Sequence, residues 1–158
     1  MIQGKLLSYY DNLEQVNEIR KKVFVDELNI PENIIFDKND KNAIFVLVYE
    51  EGYKENRNIK NPVATGRICY DGEICIIDNI AVLKDFRRKQ YGDFAVRMLV
   101  NKAFTAGIYN INVYTVSELI KFYEKIGFTL EKREDKKHFD CKMSLDSNCL
   151  KTKCRNIE

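Results

Sequence analysis

The feature that most constrains this chain is an Asp71-Gly72 pair set between two β-rich runs, Pro62–Tyr70 and Ile74–Val82. Asp-Gly readily adopts the positive φ angles of a two-residue hairpin turn, so the two runs are expected to pair antiparallel. A third run, Ala43–Tyr49 (AIFVLVY), precedes them across Glu51–Asn61, which reads as a polar turn region holding Gly52. Ala43–Val82 is therefore read as a three-stranded antiparallel meander. A sheet has to bury at least one face, so the flanking segments should supply helices.

Leu13, Val16, Ile19, Val23 and Phe24 recur at helical spacing, and Asp11 or Asn12 can cap the first turn. This helix is expected to run to about Leu28. Pro31 and the polar stretch through Asn42 form a loop with a short second helix at Glu32–Phe36. Ile2–Leu7 reads as a first strand. Downstream, Tyr91–Ala106 carries Phe94, Met98, Leu99, Ala103 and Phe104 on one side and ends at Gly107, where a C-terminal cap is expected. Tyr109–Val116 alternates as a strand. Glu118–Ile126 is a short helix ended by Gly127, and Phe128–Arg133 and Phe139–Leu145 are two more strands. The order β-α-(α)-β-β-β-α-β-α-β-β is a mixed α/β layer fold. Residues 1–146 are expected to form one domain, with 147–158 a polar tail.

Charge and cysteine usage narrow the function classes. Lys+Arg 26 against Asp+Glu 24 gives a net charge of +2, which argues against a dedicated nucleic-acid binder. No apolar run approaches the roughly 20 residues of a membrane helix, and the N-terminus lacks a signal-peptide apolar core. Five cysteines with no CxxC spacing and a single histidine argue against a metal site. The thiols, with Cys69 and Cys75 on strands, are expected to be reduced, in a cytoplasmic protein.

Two junctions can carry chemistry. At the first, the strand Ile74–Val82 runs through Leu83–Lys89 into the helix that starts at Tyr91. The first N–H groups of that helix have no partner in the chain, and its dipole adds partial positive charge. Arg87, Arg88 and Lys89 crowd cations onto the same end, where they oppose the dipole unless an anion arrives. Gly92 lets the backbone approach such a ligand closely. A plain solvated basic turn is the competing reading. At the second junction, Tyr123 lies on the short helix after a strand. Its phenol is protonated at neutral pH and can give a proton to a leaving anion. A half-buried packing tyrosine is the alternative there.

The segment Ile80-Ala81-Val82-Leu83-Lys84-Asp85-Phe86-Arg87-Arg88-Lys89-Gln90-Tyr91-Gly92 resembles the acyl-CoA signature of the GNAT superfamily of N-acetyltransferases. In that signature a strand ends in a small apolar triplet, and Arg/Gln-x-x-Gly-x-Gly/Ala then opens a helix. FYEKIGF at Phe122–Phe128 resembles the family's second hallmark, and the element order agrees. Arg20, Val23-Phe24-Val25-Asp26-Glu27, Pro31, Asp37 and Asp40 resemble the pattern of the ElaA-like acetyltransferases. Two departures stand out. Gln90 replaces the first glycine and can still present its N–H if its φ is negative. Val116 stands where relatives often carry Gln or Asn; neighbouring Ser117 either contacts the cofactor in its place or caps the helix, the cap being favoured.

The resemblance implies a GNAT fold, a mostly antiparallel sheet flanked by helices. It implies acetyl-CoA as cosubstrate and an unidentified primary amine, on a small molecule or peptide, as acceptor. The backbone of Ile80, Ala81 and Val82 would bind the pantetheine arm. The N–H groups from Arg87 through Lys89, Gln90 and Tyr91 to Gly92 would hold the pyrophosphate, with Asp93 in the same turn. Arg87 and Arg88 would reach phosphates, Lys89 less so. Tyr123 would protonate the departing thiolate. Asp78 is the first candidate for the base that keeps the amine neutral, Glu27 the second, and His138 a third. By strand alternation Asp78 shares a face with Ile80, and Asn79 with Ala81. An Asp78 facing a helix-packed core would be paired and structural. An acyl-CoA sensor or interaction module without turnover is the rival reading, an acyl-homoserine lactone synthase a weaker third. The chain is expected to be a monomer or a homodimer.

Overall fold

A computed structural model describes residues 1–54 and 57–145. The expected tail, 147–158, lies outside the described residues. Seven strands form one sheet: β1 (Ile2–Ser8), β2 (Ile44–Lys54), β3 (Arg57–Asp71), β4 (Ile74–Val82), β5 (Asn110–Thr115), β6 (Phe128–Arg133) and β7 (Cys141–Leu145). Their spatial order is β1-β2-β3-β4-β5-β7-β6. Every pairing is antiparallel except β4 with β5, which the helix α3 (Tyr91–Thr105) joins as a crossover. The meander is present, with Gly72 at φ +62 on the turn. The expected turn region Glu51–Asn61 is instead an extension of the hairpin, paired out to Lys54↔Arg57. Backbone pairing does not require apolar side chains, so polar sequence did not end these strands.

The sheet buries both faces. Val46 and Val48 on β2 pack with α3 and α4 (Ile120–Ile126), in a core that includes Ile77, Leu99, Val113 and Tyr123. Phe45, Leu47 and Tyr49 point to the other face, against Val16, Ile19, Val23 and Phe24 of the N-terminal helical segment. That segment starts as α1 (Glu14–Arg20), with Asn12 Oδ1 accepting the Glu14 N–H at 2.9 Å. It widens into a π-helical stretch over Lys21–Glu27, where the Leu28 N–H reaches the Val23 carbonyl five residues back. Such widened turns often lie at functional sites. A short α2 (Glu32–Ile35) and a 3₁₀ turn over Lys38–Asn42 complete that layer.

One irregularity in β4 positions the site. Thr65 pairs with Ala81 and Arg67 with Asp78, so Asn79 and Ile80 together face one residue of β3. This is a β-bulge, and Asn79 takes φ +53 within it. The bulge reverses the alternation expected from the sequence. Ile80 packs into the α3/α4 core, whereas Ala81 packs on the α1 face, the face on which Asp78 meets Arg67.

Candidate active site

β4 and β5 pair only from Ile74↔Asn110 to Ile77↔Val113. Beyond that point β5 stays with β7 through Thr115↔Cys141, while β4 stays with β3 through Ala64↔Val82. The strands splay, and the wedge between them is a cleft of about 1330 Å³. Ile80, Ala81 and Val82 line it, and among the described residues no strand pairs with their β5-facing edge. Unpaired backbone N–H and C=O groups in a cleft are costly unless water or a ligand meets them. An extended ligand with alternating amides, added like a strand, fits that edge.

At one end of the cleft the chain turns from β4 into α3. Arg88 (φ +62) and Gln90 (φ +72) both adopt the left-handed conformation. The condition of a negative φ set for Gln90 is not met. The turn before the helix needs the glycine conformation, and Gln90 adopts it at a cost of about 1–2 kcal/mol. Alternating left-handed residues of this kind gather backbone N–H groups into an anion-binding concavity. Gly92 also meets a packing need. A Cβ there would sit 3.3 Å from Val82 Cγ2 and 3.4 Å from Phe122 Cζ, so the glycine lets α3 pack closely on β4 and α4.

Side chains around this turn divide. Arg87, Arg88, Gln90, Tyr91 and Asp93 line the cleft, whereas Lys89 does not; its ammonium lies 5.7 Å over the Phe86 ring. Arg87 Nε donates to the Val82 carbonyl at 3.0 Å, and its Nη1 and Nη2 donate to the Glu27 carboxylate at 2.7 and 2.8 Å. That hydrogen bonding holds the Glu27 carboxyl below its ordinary range. Asp93 accepts from Arg97 Nε at 2.8 Å. Tyr91 is buried and packs its ring near Phe86, and burial raises its phenol.

Tyr123 comes from α4 into the far part of the cleft. Its ring is clamped edge-on between Phe122 and Phe128, at 4.9 and 5.6 Å between centroids. Burial pushes its phenol up, the nearby Asp78 charge adds to this, and a hydrogen bond with the Thr115 side chain opposes it. The hydroxyl is thus held protonated. Ser117, by contrast, is not on the cleft wall and caps no helix. Its Oγ accepts from Arg133 Nη1 at 2.7 Å and lies 3.9 Å from Cys141 Sγ.

The acidic candidates are mostly engaged by arginine. Arg67 is 2% exposed and donates through Nε and Nη2 to both oxygens of Asp78, at 2.8 and 2.7 Å. It also bonds Asp37 at 2.6 Å and Asp40 at 2.8 Å. Burial opposes its charge, but the Asp78 and Asp37 contacts outweigh that and keep it ionised. Arg20, wholly buried, donates to Asp40 at 3.0 Å, to the Ile35 carbonyl at 2.6 Å and to Asn79 Oδ1 at 3.3 Å. Asp78 is therefore paired and is not on the cleft wall, whereas His138 is. Arg67 and the left-handed Asn79 and Phe139 were not read from the sequence. Among the described residues no group of three or more His, Cys, Asp or Glu is placed to hold a metal ion.

Comparison with known proteins agrees with this geometry. The model of the Acetyltransferase (GNAT) family matches residues 13–128. The Bacillus subtilis protein YyaT is 26% identical over 126 residues, covering 78% of this chain and 80% of that protein. Escherichia coli ElaA has the same fold, with a TM-score of 0.74 at 20% identity over 92% of this chain and 100% of that one. PaiA N-acetyltransferase of Thermoplasma acidophilum, solved in complex with coenzyme A, gives a TM-score of 0.63 at 16% identity, covering 92% and 99%. The chain belongs to the GNAT family of acetyltransferases, whose members use acyl-CoA as the acyl donor.

Proposed function

We propose that this protein transfers an acetyl group from acetyl-CoA directly to a primary amine, with Tyr123 as the general acid. The observation that carries the reading is the buried Tyr123 hydroxyl in the same cleft as the unpaired Ile80–Val82 edge and the Arg87–Asp93 turn. The amine nitrogen bonds to the acetyl carbon, the carbon–sulfur bond breaks, and the thiolate takes the Tyr123 proton. A buried phenol is a weak acid, but a thiolate leaving beside it is raised in basicity by the same desolvation, so the transfer stays balanced. A backbone N–H on the β4 edge would polarise the thioester carbonyl.

The ammonium proton goes to His138 or to cleft water. Asp78 and Glu27, the earlier candidates, would each have to give up the charge that pairs with a guanidinium to accept it. Arg88 and the N–H groups of the turn carry the phosphates, with Arg87 once Glu27 releases it. The free thiols of Cys69, Cys75 and Cys141 fit the reducing cytoplasm.

The test is a thermal melt with and without acetyl-CoA, followed by coenzyme A release with a panel of amines. Stabilisation by acetyl-CoA together with amine-dependent release supports the reading. Stabilisation without release from any amine indicates a sensor, and no stabilisation at saturating acetyl-CoA overturns the cofactor assignment.

A further inference from the structure

The acceptor side of the cleft has a character of its own. Its wall on the α1 face is built by Val23, Phe24, Leu28 and Ile30, and by Phe139 from the segment between β6 and β7. The rings of Phe24 and Phe139 meet edge to face, 5.9 Å between centroids at 83°. Phe139 does this at φ +53, a conformation that costs an aromatic L-residue about 1–2 kcal/mol. Strain of this kind persists where the surroundings over-determine it, and it concentrates at ligand clamps. Leu28 is 52% exposed at the same wall, an apolar side chain that nothing in the fold covers among the described residues.

Charge on this side points the same way. Among the described residues, the carboxylates that line the cleft are Glu27, Asp93, Glu118 and Asp140. Asp93 is held by Arg97, and Glu27 by Arg87 until a phosphate takes that guanidinium. Asp140 accepts only a long contact from the Cys141 thiol, at 3.7 Å. Lys137 adds a cation to the same wall. A polycation needs an excess of carboxylates in reach, whereas the cleft is lined by four carboxylates against five lysines and arginines. A single ammonium carried on an apolar body meets Asp140 and the Phe24–Phe139 wall together.

Resting on the acetyltransferase reading above, we infer that the acceptor is a primary monoamine with an aromatic or branched aliphatic body, seated against Leu28 and Phe139, with Phe24 backing the Phe139 ring. The strained Phe139 sets that preference. Its ring covers the body of the amine and leaves the nitrogen toward the β4 edge.

The experiment measures coenzyme A release by the full chain at saturating acetyl-CoA with 2-phenylethylamine, 3-methylbutylamine, spermidine and a lysine-containing peptide. The expected kcat/KM for the two apolar amines exceeds that for spermidine and for the peptide by about tenfold or more, the scale on which an apolar pocket discriminates. Phe139→Ala should raise KM for 2-phenylethylamine by about tenfold, while Phe139→Leu restores most of the loss. Unchanged stabilisation of both variants by acetyl-CoA shows that they fold. A preference for spermidine or the peptide, or an unchanged KM in Phe139→Ala, overturns the inference while leaving acetyl transfer intact. If no amine is turned over, the acetyltransferase reading fails instead. Calorimetric titration of 2-phenylethylamine into the coenzyme A-saturated protein then decides the inference: heat that is lost in Phe139→Ala sustains it, and no heat overturns it.

Discussion

Arg67 and Asp78 face each other across β3 and β4, with two guanidinium nitrogens donating to the two carboxylate oxygens at 2.8 and 2.7 Å. The arginine is buried and holds Asp37 and Asp40 as well. Removing it leaves Asp37 and Asp78 without their cation, beside an Asp40 that keeps only Arg20. Arg67→Ala is expected to cost about 3–5 kcal/mol in urea unfolding, the range for breaking a buried pair. Asp78→Asn should lower stability too, yet retain turnover per folded molecule. Loss of turnover at unchanged stability would make Asp78 the base after all.

Glu27 and Arg87 form a half-exposed bidentate pair beside the phosphate end of the cleft. A phosphate competes with Glu27 for the same guanidinium. Glu27→Gln is expected to tighten acetyl-CoA binding by up to about fivefold, since exposed pairs are worth about 0.2–1 kcal/mol. Titration calorimetry checks this, and the gain should shrink as salt is raised. Weaker binding, or abolished turnover, would contradict this placement.

Most of the architecture was legible in the chain because its signals are local. The Asp71-Gly72 turn, the periodicity of Leu13–Phe24 and the glycine stops at Gly107 and Gly127 each act within a few residues. The hairpin held more than was read from it. Pairing Asp71 with Ile74 places Arg67 opposite Asp78 by register alone, so the ion pair that engages the first-choice base was available from the sequence. The bulge at Asn79–Ile80 was not, because simple alternation has no marker for an inserted residue. The cap favoured for Ser117 failed for a tertiary reason, since Arg133 on β6 reaches its hydroxyl from another element. Tyr123 and the Arg87–Gly92 turn could be singled out because the two junctions concentrate reactive residues in short segments, and the fold brings both to one cleft.

Gly92 lies against Val82 and Phe122, and its missing Cβ is already at 3.3 Å from one of them. A β-branched side chain there must push α3 away from β4. Gly92→Val is expected to destabilise the protein by about 1–3 kcal/mol, as overpacking does. It should also reduce the rise in Tm on adding acetyl-CoA, because the turn that would hold the phosphates moves with the helix. An unchanged melt would show that the packing is loose.

Burial pushes the Cys75 thiol from 9.0 up to about 11. In the unfolded chain that thiol ionises near its ordinary value, so between the two values unfolding releases a proton. The sign follows directly: the contribution is fully present below pH 9.0 and is lost as pH rises through about 11. Urea unfolding under reducing conditions should therefore show stability falling over this window. Each such group contributes a slope of about 1.4 kcal/mol per pH unit. Cys75→Ala should fall less steeply, and an equal slope would assign the alkaline loss to other groups.

The hydroxyl of Tyr123 is the group on which acetyl transfer depends most, since nothing else in the far part of the cleft is proposed to meet the thiolate. The direct measurement is coenzyme A release by Tyr123→Phe against the native chain, at saturating acetyl-CoA and amine, with the acetyl-CoA-induced rise in Tm recorded for both. The expected result is a kcat lowered by about 10²-fold or more with an undiminished rise in Tm. An unchanged kcat would contradict the role of Tyr123 as the acid.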